Sequence, residues 1–472
     1  MFKSIEEAKS HIEDFGYVAI DLRFSDLWGR WRHVTIPVGQ FNEHLFRDGV
    51  GFDGSSVGFK SVSSGDMVIL PDLSSAFSDP FCEHPTLAFI CSAYEADTKE
   101  PYAYDPRNIA IRAEEFLCKE GIADESIWGP EYEFYVFSNV EVENGPNVAS
   151  YRLDSIEGDW NAPAGPHGHY QPLHGGYYAM RPRDQFHDMR AEMCLELEAM
   201  GVEVKYHHHE VGGPGQLEIE TPLFGILKAG DSTQKVKYVT KNVAARHGMS
   251  ATYMPKPIFG EAGSGMHFHQ MLRKGGANLF YSKDGYGNLS QLALWYIGGI
   301  LKHGPALLAI TNPSTNSYRR LVPGFEAPIN AFFSLGNRSA AIRVPKYADH
   351  EDTARFEFRP PDATCNVYLA LAAQLMAGID GIINKIDPTA EGFGPFDVNL
   401  FSWTDEERKK IKALPTSLGQ ACDALDRDRD FLLRGGVFDK AQLEDWTKVL
   451  RQQYASVKTR PHPYEMSLYY DA

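Results

Sequence analysis

Three stretches of this chain place charged or imidazole side chains two residues apart, with aromatic residues between them. They are Glu131-Tyr-Glu133, His267-Phe-His269 and Arg355-Phe-Glu357-Phe-Arg359. In an extended strand, side chains two apart share a face. Each stretch therefore reads as a strand with one charged and one aromatic face. A fourth patch, Glu210 and Glu218, straddles Val-Gly-Gly-Pro-Gly-Gln-Leu, a turn between two short strands. A sheet that gathers Glu131, Glu133, Glu210, Glu218, His267 and Glu357 on one face collects five carboxylates and an imidazole. Like charges that close repel and raise one another's pKa. Divalent cations are the usual remedy, and carboxylates with one imidazole suit Mg or Mn. Taken singly, Glu131 and Glu133 have a plain alternative as the solvent face of an edge strand. Trp128, Pro130, Phe134 and Tyr135 around them favour a buried strand, where two charges need a partner. Spacing alone allows a metal hydrolase as readily as a ligase.

The chain has 472 residues, enough for two or three domains. Lys+Arg 46 against Asp+Glu 63 leaves a net charge of -17, which argues against nucleic acid or an anionic membrane as a main partner. Six cysteines, scattered without paired spacing, read as reduced, buried thiols of a cytoplasmic protein. Met1 to Phe15 carries Glu6, Glu7, Glu13 and Asp14 and reads as an amphipathic helix, not a signal peptide. Leu292 to Ile310 is the most apolar stretch. Gly298, Gly299, Lys302, His303 and Pro305 break it, so it reads as a core helix.

The pattern along the chain is α+β. Residues 1–100 read as a small unit: a helix, a hairpin (Tyr17 to Phe24, Asp26-Leu-Trp-Gly, Trp31 to Pro37), then strands at Met67 to Pro71 and Thr86 to Ala93. A boundary falls at Tyr102 to Pro106, followed by a helix to about Glu120. Further helices are expected at 183–200, 231–247, 288–308, 367–384 and 439–454, and strands at 128–137, within 207–220 and near 263–271. Gly158 to Gly176, rich in Gly, Pro and His, reads as a long loop of the kind that is often functional.

Two motifs are misleading on their own. His207, His208 and His209 suggest zinc, but adjacent strand residues alternate faces, so at most two share a site. They read as supporting or packing groups beside Glu210. Gly54 to Ser61 imitates a phosphate loop, yet three residues separate its glycines and Phe59 divides Gly58 from Lys60. A nucleotide here must be held by cations and arginines. Arg319, Arg320, Arg338, Arg343, Arg355 and Arg359 crowd the stretch around Glu357. Their plain alternative is a set of structural ion pairs. Beside clustered carboxylates they suit an anionic substrate whose charge grows in the transition state, and so phosphoryl transfer to a carboxylate.

Longer motifs now follow in one order: Phe52-Asp-Gly-Ser-Ser56, Gly129-Pro-Glu-Tyr-Glu133, His207-His-His-Glu-Val211, Gly263-Ser-Gly-Met-His-Phe-His269, Asn312-Pro-Ser-Thr-Asn-Ser-Tyr318, Asn337-Arg-Ser339 and Arg355-Phe-Glu-Phe-Arg359. Together they resemble bacterial type I glutamine synthetase over nearly the whole chain. The resemblance implies a β-grasp domain (1–103) and a catalytic domain (104–472) built on a curved antiparallel sheet. It implies a homo-oligomer of two stacked six-membered rings, a dodecamer with active sites between neighbouring subunits. The reaction it implies joins glutamate and ammonia with ATP, through phosphorylated glutamate. By position, Glu133, Glu210 and Glu218 hold one divalent cation and Glu131, His267 and Glu357 another. Gly263, Arg320, Glu326, Arg338 and Arg359 are implied at glutamate. His269, Met271, Arg338, Arg343 and Arg355 are implied at the nucleotide. Asp53, arriving from a neighbouring subunit, is implied to take a proton from ammonium, Arg338 to steady the phosphoryl group, and Glu326 to sit on a closing flap.

Some positions depart from the pattern. Ala262 stands where Asn is common, Met271 where Ser is common, and Asp352-Thr353 near a usual Lys. The loop that carries a modifiable Tyr in some members reads Asn399-Leu-Phe401. Two rival readings remain: a γ-glutamyl ligase for an amine or polyamine, and a catalytically silent scaffold or nitrogen-sensing member. Retention of Asp53, Ser56 and Glu326 favours ammonia, and six intact ligands argue against a silent member.

Overall fold

The computed structural model describes residues 2–161, 168–324, 327–397 and 411–472. Helix α1 (Ile5–Phe15) starts at Ser4, whose side chain accepts from Glu7 N–H, and ends at Gly16 in the left-handed region. Strands β1 (Ala19–Ser25) and β2 (Trp31–Pro37) form the expected hairpin. Asp26 closes its turn by accepting from the N–H groups of Trp28 and Arg30. Next come α2 (Glu43–Asp48), β3 (Val50–Asp53), β4 (Asp66–Pro71), β5 (Phe77–Ser78) and β6 (Thr86–Glu95). The strand order is β2-β1-β6-β4-β3, with β5 beside β6 and β1 parallel to β6. Ile20, Leu22 and Phe24 alternate into a core with Ala8 and Ile12 of α1 and with Leu87 and Phe89. The other face of β1 carries Arg23, paired with Asp21 and Asp79 and stacked on Trp31, Phe77 and Tyr238. Because Tyr238 belongs to the second unit and also donates to Asp79, this buried charge set joins the two.

The second unit begins with α3 (Pro106–Lys119), capped by Asp105 with proline at its first turn. Its central strand is β7 (Glu125–Phe137). Among the described residues, strands β8 (Asn139–Gly145) and β9 (Val148–Asp154) pair only with each other. This hairpin was not expected, although Val140 and Val142 alternate with Asn139, Glu141 and Glu143; both its faces are largely exposed. Helix α4 (His187–Ala199) starts four residues later than its pattern suggests, with Asp184 ahead of it ion-paired to Arg190 at 2.7 Å. Strands β10 (Tyr206–His209), β11 (Gln216–Glu220) and β12 (Phe224–Gly225) lead into α5 (Ile226–Arg246). That helix begins five residues early, because Ile226 and Ala229 already pack into the core. Then follow β13 (Ser250–Thr252), β14 (Phe268–Lys274), β15 (Ala277–Asn278), α6 (Gln291–Thr311), α7 (Ser317–Arg320), β16 (Phe333–Leu335), β17 (Ile342–Val344), β18 (Phe356–Phe358) and α8 (Val367–Ile383). Helices α9 (Leu418–Arg427), α10 (Asp430–Leu433), α11 (Lys440–Lys458) and α12 (Pro463–Tyr469) finish the chain.

The large sheet runs β10-β11-β7-β14-β18-β17-β16, antiparallel except for β16 with β17. Its back face buries Tyr132, Phe134, Leu217, Ile219, Phe268, Phe356 and Phe358, none more than 1% exposed. Each such side chain contributes about 1.5–3 kcal/mol of apolar transfer, so register is strongly held. Helix α6 is long and apolar enough to cross a membrane, but 78% of that span is buried inside the protein against α8 and its neighbours. Gly299 allows that packing: a Cβ there would lie 2.8 Å from the Cα of Gly381. The helices are tied to the sheet by Gln270, which accepts from Tyr296 Oη (2.9 Å) and donates to Gln374 (3.0 Å).

Candidate active site

The front face of the large sheet floors a cavity of about 740 Å³. Period-two alternation on β7 sends Glu131 and Glu133 to this face and Tyr132 and Phe134 to the core. Register supplies the neighbours. Glu218 lies opposite Glu133 and Glu220 opposite Glu131 across β11 and β7. His208 lies opposite Glu218, and Glu357 opposite both His269 and Arg343. Like charges directly across a ladder destabilise it, so this face calls for cations.

Glu131, His267 and Glu357 bring three ligand atoms within 4.8 Å of one another. His267 Nδ1 lies 2.8 Å from Glu131 and 3.4 Å from Glu357. His269 Nε2 meets the other oxygen of Glu131 at 2.9 Å. Burial opposes ionisation of Glu131, but its bonds with His267 and His269 hold its carboxyl well below the usual range. Glu357 is wholly buried and pairs with Arg359 and, at 2.7 Å, with Arg343. Burial raises its pKa, yet Arg359 leaves it below normal.

The second trio is arranged differently. Glu133 accepts from Gly265 N–H at 2.6 Å, and Glu210 accepts from Val211 N–H at 2.7 Å. Glu218 lies 3.2 Å from His208 Nε2. Burial and the charge of Glu133 push Glu210 up to about 7. Burial, with Glu131, Glu210 and Glu133 nearby, pushes Glu218 well above its ordinary value. At Glu210 and Glu218, burial and mutual repulsion outweigh the positive groups nearby. An oxygen-rich donor set with one imidazole fits Mg or Mn rather than a sulfur-loving metal.

Arginines line the other walls. Arg320 is buried, donating to the carbonyl of Pro360 (2.8 Å) and to that of Arg359 (3.2 Å), with Nη2 also 3.2 Å from His267 Nε2. Gly263 and Gly265 leave it room: a Cβ on Gly263 would come within 2.8 Å of Arg320 Cγ, and one on Gly265 within 2.7 Å of His267 Nε2. Arg338, Arg343, Arg355 and Arg359 also line the cavity.

Not every expected residue is on the wall. His269 lies behind Glu131, only 3% exposed, and Met271 is packed in the core at 4%. Asp53 is exposed on the small sheet, outside this cavity, where it accepts from Ser55 Oγ (2.7 Å) and Ser56 Oγ (2.6 Å). Glu326 and Phe401 lie outside the described residues.

Other residues join the site unannounced. Glu220 extends the acid row, and its position two after Glu218 was the available signal. Lys205 pairs with it at 2.8 Å, and Tyr206 donates to it. Tyr177, from the Gly-rich loop, lies 3.5 Å from Arg338 Nη2. Tyr347 stands under the guanidinium groups of Arg343 and Arg355 at 5.8 and 5.6 Å. No spacing rule singles out either tyrosine.

Residues 103–469 match the family model described as glutamine synthetase, catalytic domain, and residues 17–96 match glutamine synthetase, beta-Grasp domain. A glutamine synthetase of Frankia alni is 47% identical over 100% of both chains. One of Pasteurella multocida is 47% identical over 97% of each. Among solved structures, a Plasmodium falciparum glutamine synthetase superposes with a TM-score of 0.88 at 26% identity, covering 99% of both chains. A structure titled as a GmaS/ADP complex gives 0.81 at 26% identity, covering 98% of this chain and 99% of that one.

Proposed function

The chain belongs to the glutamine synthetase family and is a glutamate–ammonia ligase that uses ATP, and from that premise we propose how its own residues carry the reaction. The observation that supports the scheme best is the convergence of Glu131, His267 and Glu357 beside a second acid trio, under a wall of arginines. We assign one divalent cation, Mg or Mn, to Glu131, His267 and Glu357. A second goes to Glu133, Glu210 and Glu218. When bound, such ions neutralise the phosphate oxygens and draw the reactants together.

Arg320 and the backbone at Gly263 hold glutamate, and Arg359 reaches its side-chain end. Arg343 and Arg355 hold the nucleotide phosphates, with His269 steadying that wall from behind Glu131. A γ-carboxylate oxygen of glutamate attacks the terminal phosphorus of ATP, ADP leaves, and Arg338 stabilises the charge that spreads over the moving phosphoryl group. Ammonium gives a proton to Asp53. The resulting ammonia attacks the acyl carbon, and inorganic phosphate leaves. Glu326 belongs to a flap that keeps water from the acyl phosphate. Since Asp53 lies outside its own chain's cavity, this scheme takes it from a neighbouring subunit, as two stacked hexameric rings provide. We place the domain boundary at 103/104. Six free cysteines, with Cys82 and Cys118 exposed rather than buried as the sequence suggested, and a net charge of -17 fit a cytoplasmic enzyme without nucleic-acid or membrane partners.

One alternative acceptor, an organic amine or polyamine, would use the same machinery. A single assay decides. Phosphate release with glutamate, ATP and Mg or Mn is expected to be fastest with ammonium and to vanish in Glu357→Ala. A putrescine or methylamine rate well above the ammonium rate replaces ammonia as the substrate. No release with any acceptor overturns the scheme.

A further inference from the structure

The three consecutive histidines of β10 do three different things. His207 turns outward, its Nδ1 accepting from Arg190 at 3.3 Å. His208 faces the cavity beside Glu218. His209 is wholly buried and touches no cavity wall. Its Nε2 lies 2.8 Å from Glu157, whose side chain is also fully buried. Its Nδ1 lies 2.7 Å from the main-chain oxygen of Glu210. Both ring nitrogens thus face oxygen atoms of fixed partners. Glu157 is itself anchored, its second oxygen accepting from Gln185 N–H at 2.6 Å.

What His209 grips is a stretch of chain that the sheet does not hold. Strand β10 stops at His209 and β11 starts at Gln216, so Glu210 sits just past the strand end. One ladder-like bond remains, from Glu210 N–H to the Gln216 carbonyl at 2.8 Å. From the other side comes the Gly-rich loop. Gly176 N–H donates to the Val211 carbonyl (3.2 Å) and Tyr178 N–H to that of His209 (3.1 Å). Any Cβ on Gly176 would strike both the Glu210 oxygen and the His209 ring. The imidazole of His209 is therefore wedged between a buried acid, the carbonyl of Glu210 and the loop that carries Tyr177.

We propose that His209 is a positioning residue: with Glu157 it fixes the main chain at Glu210, and through Gly176 the Tyr177 loop, so that one cation position is set by a group that never touches the cation. Groups behind a metal's ligands commonly set affinity by orienting them. This inference rests on assigning Glu133, Glu210 and Glu218 to a divalent cation. It predicts unequal damage. The position built on Glu131, His267 and Glu357 has no contact with His209 and stays intact.

The test is a Mn titration of the metal-free full-length chain, followed by the electron paramagnetic resonance of free Mn, with thermal unfolding and kinetics alongside. Wild type is expected to bind Mn at two positions per chain. His209→Ala should weaken one of them by about 10–100-fold and leave the other within about twofold. Glu157→Gln keeps the volume and is expected to weaken the same position by about 10-fold. In both variants the Mn needed for half-maximal activity rises, and excess Mn restores most of kcat, which a general loss of structure does not allow. His207→Ala, aimed elsewhere, leaves both positions unchanged. Unaltered Mn binding in the two variants, or equal weakening of both positions with a lowered Tm, overturns the proposal. If His209→Ala does not fold, Glu157→Gln decides alone. A wild-type chain that binds no Mn overturns the cation assignment itself, and with it this inference.

Discussion

Glu133 and Glu218 stand directly opposite each other on β7 and β11, two carboxylates of one face paired across the ladder. Opposed like charges cost roughly 0.2–1 kcal/mol in a sheet. Removing one charge while keeping its shape relieves that cost. Glu218→Gln is therefore expected to unfold at a higher temperature than wild type when both are metal-free, and to lose the stabilisation that Mg or Mn gives wild type. Thermal unfolding with and without chelator measures both. A Glu218→Gln protein less stable than wild type without metal contradicts the account.

Gly265 is the second pressure point. A methyl group there collides with the guanidinium of Arg320 and approaches His267 Nε2 to 2.7 Å. Neither neighbour has an easy retreat, since Arg320 is pinned to the Pro360 carbonyl and His267 to Glu131. Misplacing a positioning group by about 1 Å costs about 100-fold in rate. Gly265→Ala should lower kcat/KM for glutamate by about that factor with little change in far-ultraviolet dichroism. Near-normal kinetics would show that Arg320 does not set the glutamate end.

A pH effect is expected far from the cavity. His303 of α6 is buried between Asp428 (2.8 Å) and Asp380 (3.0 Å) and stacks on Phe431. Burial disfavours its charge, but hydrogen bonds to Asp380 and Asp428 outweigh burial and raise its pKa. The folded protein thus binds this proton more tightly than the unfolded chain does. Its stabilisation is fully present below the unfolded pKa of about 6.5 and fades as pH rises through the folded value. Urea unfolding midpoints from pH 5.5 to 9 should fall more steeply for wild type than for His303→Gln. Parallel curves refute the link.

The segment 397–404 carries Phe401 where a modifiable tyrosine stands in some family members. A phenyl ring has no hydroxyl to accept a nucleotidyl group. Mass spectrometry of that peptide, from cells given excess nitrogen, should show only the unmodified mass. An added nucleotidyl mass there refutes the claim.

Much of the site was legible because strands report their faces. Glu131 with Glu133 and His267 with His269 announce a charged face by spacing alone, and the aromatic residues between them announce the core. The ordered motifs carried the family and the proposed division of ligands into two trios. Other features were illegible for physical reasons. The hairpin β8–β9 is the exception, since Val140 and Val142 alternate with Glu141 and Glu143 and made a strand readable although both faces are largely exposed. Met271 keeps the parity of His269 but is packed in the core, because parity says nothing about depth.

The chain by itself determined which side chains share a face, since the two-residue period of an extended backbone is local and each strand obeys it alone. Only tertiary structure decided which faces meet. Register, held by the apolar sides of β7, β11, β14 and β18, set Glu218 against Glu133, put Glu220 opposite Glu131, and drew Arg320 from a distant helix to within 3.2 Å of His267. It also gave three adjacent histidines separate partners, because each direction from β10 ends on a different element: α4, the cavity, or the buried Glu157.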